Sequence, residues 1–419
     1  MKAKVSGVEL FHVLTVPEAR EVLAARWPEL KRGTKKVSLT GALRCELAVD
    51  IVAAEDVPGF ARSTMDGYAV RAQDTFGATE SQPAYLALAG EVFMGEAAGV
   101  QVLPGTAVAI ATGGMLPPGA DAVVMVENTE SVDGKTVAIT RPVAPGENLV
   151  KRGEDVRAGQ KVLAAGRRLR PQDLGILASL GFSEVEVYEP WRIGILATGN
   201  EIVPPEVKPG PGQVRDINSY TLFGLSQACG AEPRLYGIVP DDLDKLKAVA
   251  WKALNENHIL LFSGGSSVGT RDLTLQVIAS LDNPEILFHG ISIRPGKPTL
   301  AAVTGGKLVI GLPGHPVSAM IIFDLFLRPL ILYGGYNDLD LLEGSVKAVL
   351  TRKVASGADR EDHVRVRLLR GEAGLLADPV PGKSGLISTM VQADGLVKVP
   401  LECEGLEAGS IVEVRLFTR

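Results

Sequence analysis

The sequence has 419 residues, which is too many for a single hydrophobic core and predicts three or four domains. With 46% hydrophobic and 22% charged residues, the composition is typical of a soluble globular protein. The net charge of −6 argues against a nucleic-acid partner, because phosphate contacts need clustered lysines and arginines.

The cysteines and the N-terminus indicate a cytoplasmic protein. The three cysteines lie far apart without a C-x-x-C pair, and the five histidines are scattered, so neither a disulfide framework nor a zinc motif is predicted. The first residues carry Glu9 inside an apolar stretch and no small-residue cleavage site. No run of 18 apolar residues is present, so we expect no membrane partner.

The first 190 residues predict two kinds of structure. A helix begins at Val16, carries Pro17 in its first turn and ends before Pro28, and a second helix is predicted over 40–55. A third starts with Pro171 and stops at Gly181. Between them lie short runs separated by glycine or proline, which predict strands at 85–88, 107–111, 122–126 and 136–140. We therefore expect a discontinuous helix-rich domain, 1–55 with 146–190, interrupted by an all-β wing, 56–145.

Residues 191–338 alternate between strand and helix patterns and predict a doubly wound α/β domain. Strands are expected at 193–197, 234–239, 258–262, 286–288, 299–303 and 308–311, and helices at 219–229, 242–255 and 317–332. The sheet should be mostly parallel, covered on both faces, with ligands bound beyond the carboxyl ends of its strands. Residues 339–419 return to short strands, at 347–352, 363–369, 396–399 and 410–416, which predict a small C-terminal β-barrel.

The stretch Leu260–Asp272, LLFSGGSSVGTRD, is a strand that runs into a glycine- and serine-rich loop and then a helix. Free backbone N–H groups and the helix dipole make such a loop a phosphate cradle. We expect its contacts to come from Ser263, Gly264, Gly265, Ser267 and Gly269. Asp272 at its exit does not favour a bare anion, but a bridging metal cation would account for a carboxylate there.

Further acids follow the neighbouring strands. Glu201 follows the first strand on a glycine turn, and Asp241 and Asp242 follow the next. Together with Asp272 these carboxylates predict a Mg²⁺ ion held partly by substrate phosphates. The alternatives are a solvated loop acid for Glu201 and helix capping for at least one of the Asp241–Asp242 pair.

Two proline- and glycine-containing loops provide the opposite charge. Ile293–Pro298 presents Arg294 and Lys297 on a stiff backbone, which suits phosphate or another oxyanion, although two surface cations on a turn would look the same. The second loop contains Pro313, Gly314 and His315; it is either a packing turn or part of the site, and His315 is interpreted as a hydrogen-bonded turn residue. The chain has no P-loop, dinucleotide fingerprint or nucleophile elbow.

Seven segments in order resemble the molybdopterin molybdenumtransferases, the MoeA-type molybdenum insertases, over nearly the whole chain. They are Ser63–Ala69 (STMDGYA), Ala111–Gly114 with Pro118–Val124, Arg152–Asp155 (RGED), Thr198–Glu201 (TGNE), Ser263–Gly269, Pro295–Pro298 (PGKP) and Gly311–Gly314 (GLPG). The segment Gly382–Ser388 (GKSGLIS) is similar to a further family loop, with Lys383 in place of a smaller residue.

The resemblance implies an enzyme that takes adenylylated molybdopterin and molybdate and releases AMP and molybdenum cofactor in a Mg²⁺-dependent step. It implies an elongated four-domain homodimer whose site lies between the α/β domain of one subunit and the wing of the other. The positions that it carries over as functional are Asp66, Thr112, Glu201 and Asp272. We expect Glu201 and Asp272 to hold the metal, and Arg294, Lys297, Ser384 and Ser388 to receive molybdate.

The sequence departs from the family pattern at a few positions, which leave the carboxylates and Lys297 in place. They are Thr64, Ser266, Arg294, His315 and Lys383. Arg294 offers a planar fork where many members have lysine, which bears on the choice between molybdate and tungstate. Two rival functions remain open, a molybdopterin adenylyltransferase and a non-enzymatic scaffold that binds a partner protein. If the chain is instead the molybdenum insertase, the resemblance implies a molybdopterin adenylyltransferase as a partner protein.

Overall fold

The structure is a computed structural model, and it divides into two compact units. One, the α/β unit, consists of Met1–Gly33 with Glu189–Arg419, and the other is Thr34–Tyr188. The residues that it describes are 4–5, 8–9, 13–264, 273–337, 344–372 and 374–417.

The chain begins with a strand pair and one helix. Their bounds are β1 Lys4–Val5, β2 Val8–Glu9 and α1 Val16–Arg26. Helix α1 starts at a capping box, in which the N–H of Glu18 donates to Oγ1 of Thr15 and the N–H of Thr15 donates to the Glu18 carboxylate. Its buried side chains pack in the core of the α/β unit, so the helix predicted here is confirmed.

The unit Thr34–Tyr188 consists mainly of short strands. They are β3 Thr34–Ser38, β4 Ile51–Val52, β5 Arg62–Ser63, β6 Gly67–Val70, β7 Ala84–Val92, β8 Thr106–Ile110, β9 Ala122–Met125, β10 Thr129–Ser131, β11 Thr136–Ile139, β12 Leu149–Val150, β13 Lys161–Leu163 and β14 Glu184–Tyr188, with helix α2 Pro171–Ser179. Six strands form one sheet in the order β10-β11-β7-β8-β6-β9. Alternate residues of its strands enter two different apolar clusters, so both faces are covered. The predicted β wing is confirmed.

The helix predicted over 40–55 is wrong. The structure has a 3₁₀ turn, Leu39–Gly41, and then extended backbone that leads into β4. Arg44 has φ of 66°, a left-handed conformation that interrupts a helix. The backbone instead bonds to distant chain, with Leu47 N–H donating to the carbonyl of Arg167. Within Thr34–Tyr188, all of which is described, α2 is the sole α-helix, so this part is less helical than expected.

The α/β region alternates as predicted. Its elements are β15 Arg192–Thr198, β16 Ile202–Val203, β17 Val214–Arg215, α3 Asn218–Ala228, β18 Glu232–Val239, α4 Leu243–Glu256, β19 Ile259–Ser263, α5 Leu273–Ala279, β20 Glu285–His289, β21 Ile293–Arg294, β22 Leu300–Thr304, β23 Lys307–Leu312, α6 Pro316–Ile322 and α7 Arg328–Tyr333. The sheet order is β18-β15-β19-β23-β22-β20, with β18, β15, β19 and β23 parallel. Two apolar clusters cover its two faces, and the doubly wound fold is confirmed.

The strand order reverses between β15 and β19, because the chain leaves β15 for β18 on one side and returns to β19 on the other. Such a reversal opens a crevice at the carboxyl ends of the strands, where ligands bind. The crevice here lies at the carboxyl ends of β15 and β19, which are Thr198 and Ser263.

The last helical segment of this region, 316–333, joins α6 to α7 through a π-helical turn at Phe323–Leu327. It is 18 residues long with a mean hydropathy of 1.6, and 83% of it is buried. Length and composition alone would allow it to cross a membrane. In the structure it packs in the core of the α/β unit.

The C-terminal strands close into the predicted barrel. Its elements are β24 Ser345–Leu350, β25 Val354–Ala355, β26 Glu361–Gly371, β27 Gly374–Pro379, α8 Ser388–Val391, β28 Gly395–Val399, β29 Gly405–Leu406 and β30 Ile411–Leu416. Five strands form a ring in the order β26-β27-β24-β30-β28, and β28 pairs again with β26. Strand β21 of the α/β region also pairs with β26, with Arg294 opposite Asp362. The barrel is therefore hydrogen-bonded directly to the start of the 293–298 loop, which contains Arg294 and Lys297.

One buried carboxylate controls the start of α2 and leads to a pH prediction. Asp173 is 3% exposed and accepts hydrogen bonds from the N–H of Arg170 and from Nη2 of Arg167, each at 2.9 Å. Burial by itself raises the pKa of Asp173, but these bonds outweigh it and lower the pKa from 3.8 to about 2. The charged form therefore stabilises the folded unit above the unfolded pKa.

We expect Asp173→Asn to cost on the order of 2 kcal/mol of unfolding free energy at pH 7. The difference from the wild type should shrink as the pH falls from about 4 towards the folded pKa of about 2, where the wild-type carboxylate also becomes neutral. Pulse hydrogen exchange of α2 peptides across a urea series at each pH measures it. Asp155→Asn, at an exposed carboxylate of the same unit, is the control. An equal cost at pH 7 and pH 2.5 would contradict the assignment.

Candidate active site

Hydrogen bonds join the loops that follow β15 and β18. Oγ1 of Thr198 donates to Oδ1 of Asp241 over 3.0 Å. The N–H of Asp241 in turn donates to Oδ1 of Asn200 over 3.1 Å. Two neighbouring strand ends are thereby fixed to each other, and the carboxylate of Asp241 is held at the edge of the sheet.

Glycines allow three strand-end loops to approach each other closely. Gly264 has φ of 103°, and a methyl group at this position would lie 2.3 Å from the carbonyl oxygen of Thr198. A methyl group on Gly314 would lie 3.8 Å from Cα of Gly264. The ends of β15 and β19 therefore meet through backbone atoms, and the loop after β23 lies within ordinary contact distance of Gly264. The rest of the predicted cradle, including Gly265, Ser267, Gly269 and Asp272, lies outside the described residues.

The three described acids at these strand ends differ in their surroundings. Glu201 is exposed and folds back over Gly199, where an added methyl group would lie 2.8 Å from both carboxylate oxygens. Asp242 caps α4 by accepting from the N–H groups of Asp244 and Lys245, each at 3.1 Å. The bond from Lys245 is the main cause of a lowered pKa at Asp242. Asp242 therefore matches the capping alternative, and the exposed Glu201 also fits the alternative of a solvated loop acid. Asp241 is bonded to Thr198 of the neighbouring strand end.

These groups are oxygen ligands of the kind that Mg²⁺ prefers. Among the described residues, no three Asp, Glu, His or Cys side chains converge into a metal site. The described oxygen donors at these strand ends are Glu201, Asp241 and the side chain of Asn200, and Asp272 lies outside the described residues. The predicted metal pair of Glu201 and Asp272 stays a prediction.

A cationic cavity of about 790 Å³ lies between the α/β sheet and the barrel. The structure brings together there four residues that the sequence predicted separately: Arg294, Lys297, Pro313 and Ser384. Three further basic side chains from the barrel also line it: Arg360, Arg365 and Lys383. Ser388 starts α8 and does not belong to the lining residues.

The three guanidinium groups of this cavity form ion pairs or hydrogen bonds with neighbouring protein groups. Asp362 is 4% exposed and lies 3.0 Å from Nε of Arg360 and 3.7 Å from Nη1 of Arg294. Arg365 donates to the carbonyl of Gly382 over 2.6 Å and to the hydroxyl of Thr389. Three positive charges are therefore fixed in position on the cavity wall.

His315 connects the barrel to the start of α6. Its Nδ1 lies 2.9 Å from Oγ of Ser384, and the N–H of Val317 donates to the carbonyl of Ser384 over 3.1 Å. These contacts agree with the interpretation of His315 as a hydrogen-bonded turn residue. They also fix the loop that carries Ser384 at the cavity.

The wing brings its two predicted functional residues together. Oδ1 of Asp66 accepts from the N–H of Thr112 at 2.7 Å and from its Oγ1 at 2.9 Å. The backbone bond is the main cause of a lowered pKa at Asp66, so its carboxylate is charged. Both side chains are exposed and available to a ligand.

Several residues that line the cationic cavity were not identified from the sequence. Asp362 and Arg365 lie on a barrel strand whose alternation predicted a sheet and nothing more; a repeated basic residue on its polar face, as in HVRVR, was the available signal. A second cleft of about 440 Å³ lies beside the crevice and is lined by Asn200, Pro204, Tyr220 and Pro240 among others. Its walls come from distant segments, so no local pattern indicated it.

Known protein families and relatives match this chain over nearly its whole length. The chain matches the MoeA N-terminal region (domain I and II) over 14–181, a probable molybdopterin binding domain over 194–333 and the MoeA C-terminal region (domain IV) over 347–417. A putative molybdopterin biosynthesis protein of Methanocaldococcus jannaschii is 37% identical, covering 91% of this chain and 92% of the relative. The molybdopterin molybdenumtransferase of Bacillus subtilis is 33% identical, covering 92% and 90%.

A solved structure has the same fold. The crystal structure of a molybdopterin biosynthesis MoeA protein from Pyrococcus horikoshii superposes with a TM-score of 0.81 at 38% sequence identity. It covers 97% of this chain and 100% of the Pyrococcus chain.

The glycine contact between strand ends leads to a stability prediction. Gly264→Ala should lower the unfolding free energy of the α/β unit by about 1–3 kcal/mol, because the methyl group forces the β15 and β19 loops apart. Urea unfolding followed by tryptophan fluorescence measures it, since Trp27, Trp191 and Trp251 all lie in this unit. Gly335→Ala is the matched control, with no atom within 4 Å of the added methyl group. Equal stability of the two variants would contradict the close approach.

Proposed function

This chain belongs to the MoeA family, and we propose that it is a molybdopterin molybdenumtransferase that inserts molybdenum from molybdate into adenylylated molybdopterin and releases AMP. The observation that carries this proposal is the charge distribution at the carboxyl ends of the sheet. Carboxylates and glycine loops lie at one part of this edge, and the cationic cavity lies at the other. The proposed reaction needs both parts, because it brings a pyrophosphate and a separate oxyanion, molybdate, to the same edge of the sheet.

The strand-end loops would bind the pyrophosphate. Gly264 removes any side chain from the approach to the backbone, and the hydrogen bonds among Thr198, Asn200 and Asp241 hold two of the loops still. Such preorganised groups stabilise charge without moving during the reaction. This part of the chain would orient the bond between the two phosphates.

We infer that Mg²⁺ is held by Glu201 and Asp272 together with substrate phosphate oxygens. When bound, it would act as a Lewis acid that stabilises the negative charge of departing AMP. The role of Glu201 and Asp272 would be to provide carboxylate oxygens at the ends of the strands. The exposed position of Glu201 supports this role, because its carboxylate has room to turn from Gly199 towards a ligand.

Molybdate, as a substrate dianion, would enter the cationic cavity. Lys297 and Arg294 lie on its α/β wall, and Ser384 lies on its barrel wall next to His315. Charge-assisted hydrogen bonds from these groups suit a tetrahedral oxyanion. The sulfur ligands of the metal belong to the pterin, so the protein provides orientation and electrostatics.

The Asp66–Thr112 pair would complete the site of a partner subunit in a homodimer. The two side chains already bond to each other and remain exposed, which supports a role at an intermolecular site. The short loops that hold them belong to a sheet of their own, so the wing can present the pair as a preformed unit.

Substituting the proposed metal ligand should impair AMP release. In single-turnover reactions with adenylylated molybdopterin and molybdate, Glu201→Gln should release AMP at least tenfold more slowly and need more Mg²⁺ for half-saturation, because one anionic ligand is lost. Glu206→Gln changes an exposed acid of the same loop and should behave like wild type. Wild-type rates for Glu201→Gln at every Mg²⁺ concentration would remove the metal role of this residue.

Mixing two inactive variants tests the shared site. Asp66→Ala and Glu201→Ala damage different halves, so co-expressed heterodimers should recover about one intact site for every two subunits, whereas each homodimer stays inactive. Heterodimers can be purified through two different affinity tags, one on each variant, and their rate of AMP release can then be measured. Folded heterodimers that regain no activity would contradict a site shared between subunits.

A further inference from the structure

The cationic cavity contains two ammonium groups that differ from its three guanidinium groups. Arg294 and Arg360 share the buried carboxylate of Asp362, and Arg365 donates to Gly382 and Thr389. Lys297 and Lys383 line the same cavity, but their ammonium groups have no hydrogen-bond or ion-pair partner among the residues that the structure describes. Two uncommitted positive charges therefore face one space.

The two lysines are presented by fixed turns on opposite walls. On the α/β wall, the N–H of Ile291 donates to the carbonyl of Lys297 at 2.9 Å. The preceding Gly296 packs so closely on α6 that a methyl group would lie 2.5 Å from Cδ1 of Ile322. The backbone under Lys297 therefore has little freedom to shift.

On the barrel wall, Lys383 lies between two anchored neighbours. The carbonyl of Gly382 accepts from Arg365 at 2.6 Å. Ser384 is bound through its side chain by His315 at 2.9 Å and through its carbonyl by the N–H of Val317 at 3.1 Å. An ammonium on a flexible stem thus rises from a backbone that is held on both sides.

We propose that Lys383 is a second oxyanion-binding ammonium, which acts opposite Lys297 and sets the affinity of this chain for its tetrahedral dianion. The inference rests on the proposed function, since it takes the cavity to be the molybdate site. Two free monocations match the charge of one dianion, while the guanidinium charges are already partly compensated by Asp362 and the barrel.

Direct binding of molybdate to the full-length protein tests the assignment without turnover. By isothermal titration calorimetry in low salt, Lys383→Ser should weaken molybdate binding about tenfold, and Lys383→Arg should retain most of it, because the positive charge is kept. Raising the salt concentration should shrink the difference between Lys383→Ser and wild type, since the interaction is largely electrostatic. Lys347→Ser removes an exposed lysine of the same barrel that does not line the cavity, and should bind like wild type.

The outcomes separate this inference from the proposed function. Unchanged affinity in Lys383→Ser, while Lys297→Ala loses molybdate, would overturn the role of Lys383 and leave the proposed site standing. Equal weakening in Lys383→Ser and Lys347→Ser would also overturn it, because it would reduce the effect to net charge. A wild-type protein that binds no molybdate would overturn both proposals. Matching thermal unfolding of all variants ensures that the differences do not come from misfolding.

Discussion

The short pairing between β21 and β26 is the constraint on which the cationic cavity depends. It sets Arg294 of the α/β region opposite Asp362 of the barrel. The backbone ladder joins two domains that also share apolar packing, since Met390 and Leu396 of the barrel region belong to the core of the α/β region, while the barrel has a second cluster of its own. Together with the bonds from His315 and Val317 to Ser384, this pairing places the loop of Lys297 and the barrel loop around Ser384 on two walls of one cavity.

The same pairing explains how so many positive charges can share one space. Like charges repel, and burying them adds a desolvation cost. Asp362 offsets the repulsion, because its buried carboxylate lies between two arginines. The ammonium groups without a partner among the described residues belong to Lys297 and Lys383, which are exposed, so water stabilises their charges. The cavity therefore divides its charges into a fixed wall and two groups free to bind.

The sequence predicted the α/β region well, because its helices carry apolar residues at helical spacing and its strands are continuous apolar runs. It failed at 40–55, where Leu47 and Ile51 have helical spacing but Arg44 adopts a left-handed conformation and Leu47 bonds to Arg167. Glycine and proline turns revealed Lys297 and Gly264, since those residues restrict the backbone locally. Asp362 and Arg365 could not be found in this way, because only closure of the barrel brings them to the cavity.

The overall charge of the protein makes the local arrangement necessary. A chain with a net charge of −6 repels a dianion at long range. At physiological ionic strength that repulsion is screened beyond about 8 Å. A positive cavity can therefore act on an incoming oxyanion only at close range, where the fixed guanidinium wall and the two free ammonium groups outweigh the distant acids. Carboxylates such as Glu201 and Asp241 would repel the same anion unless a cation lies between them, so the acidic strand ends and the basic cavity are chemically compatible when a divalent metal occupies the acidic part.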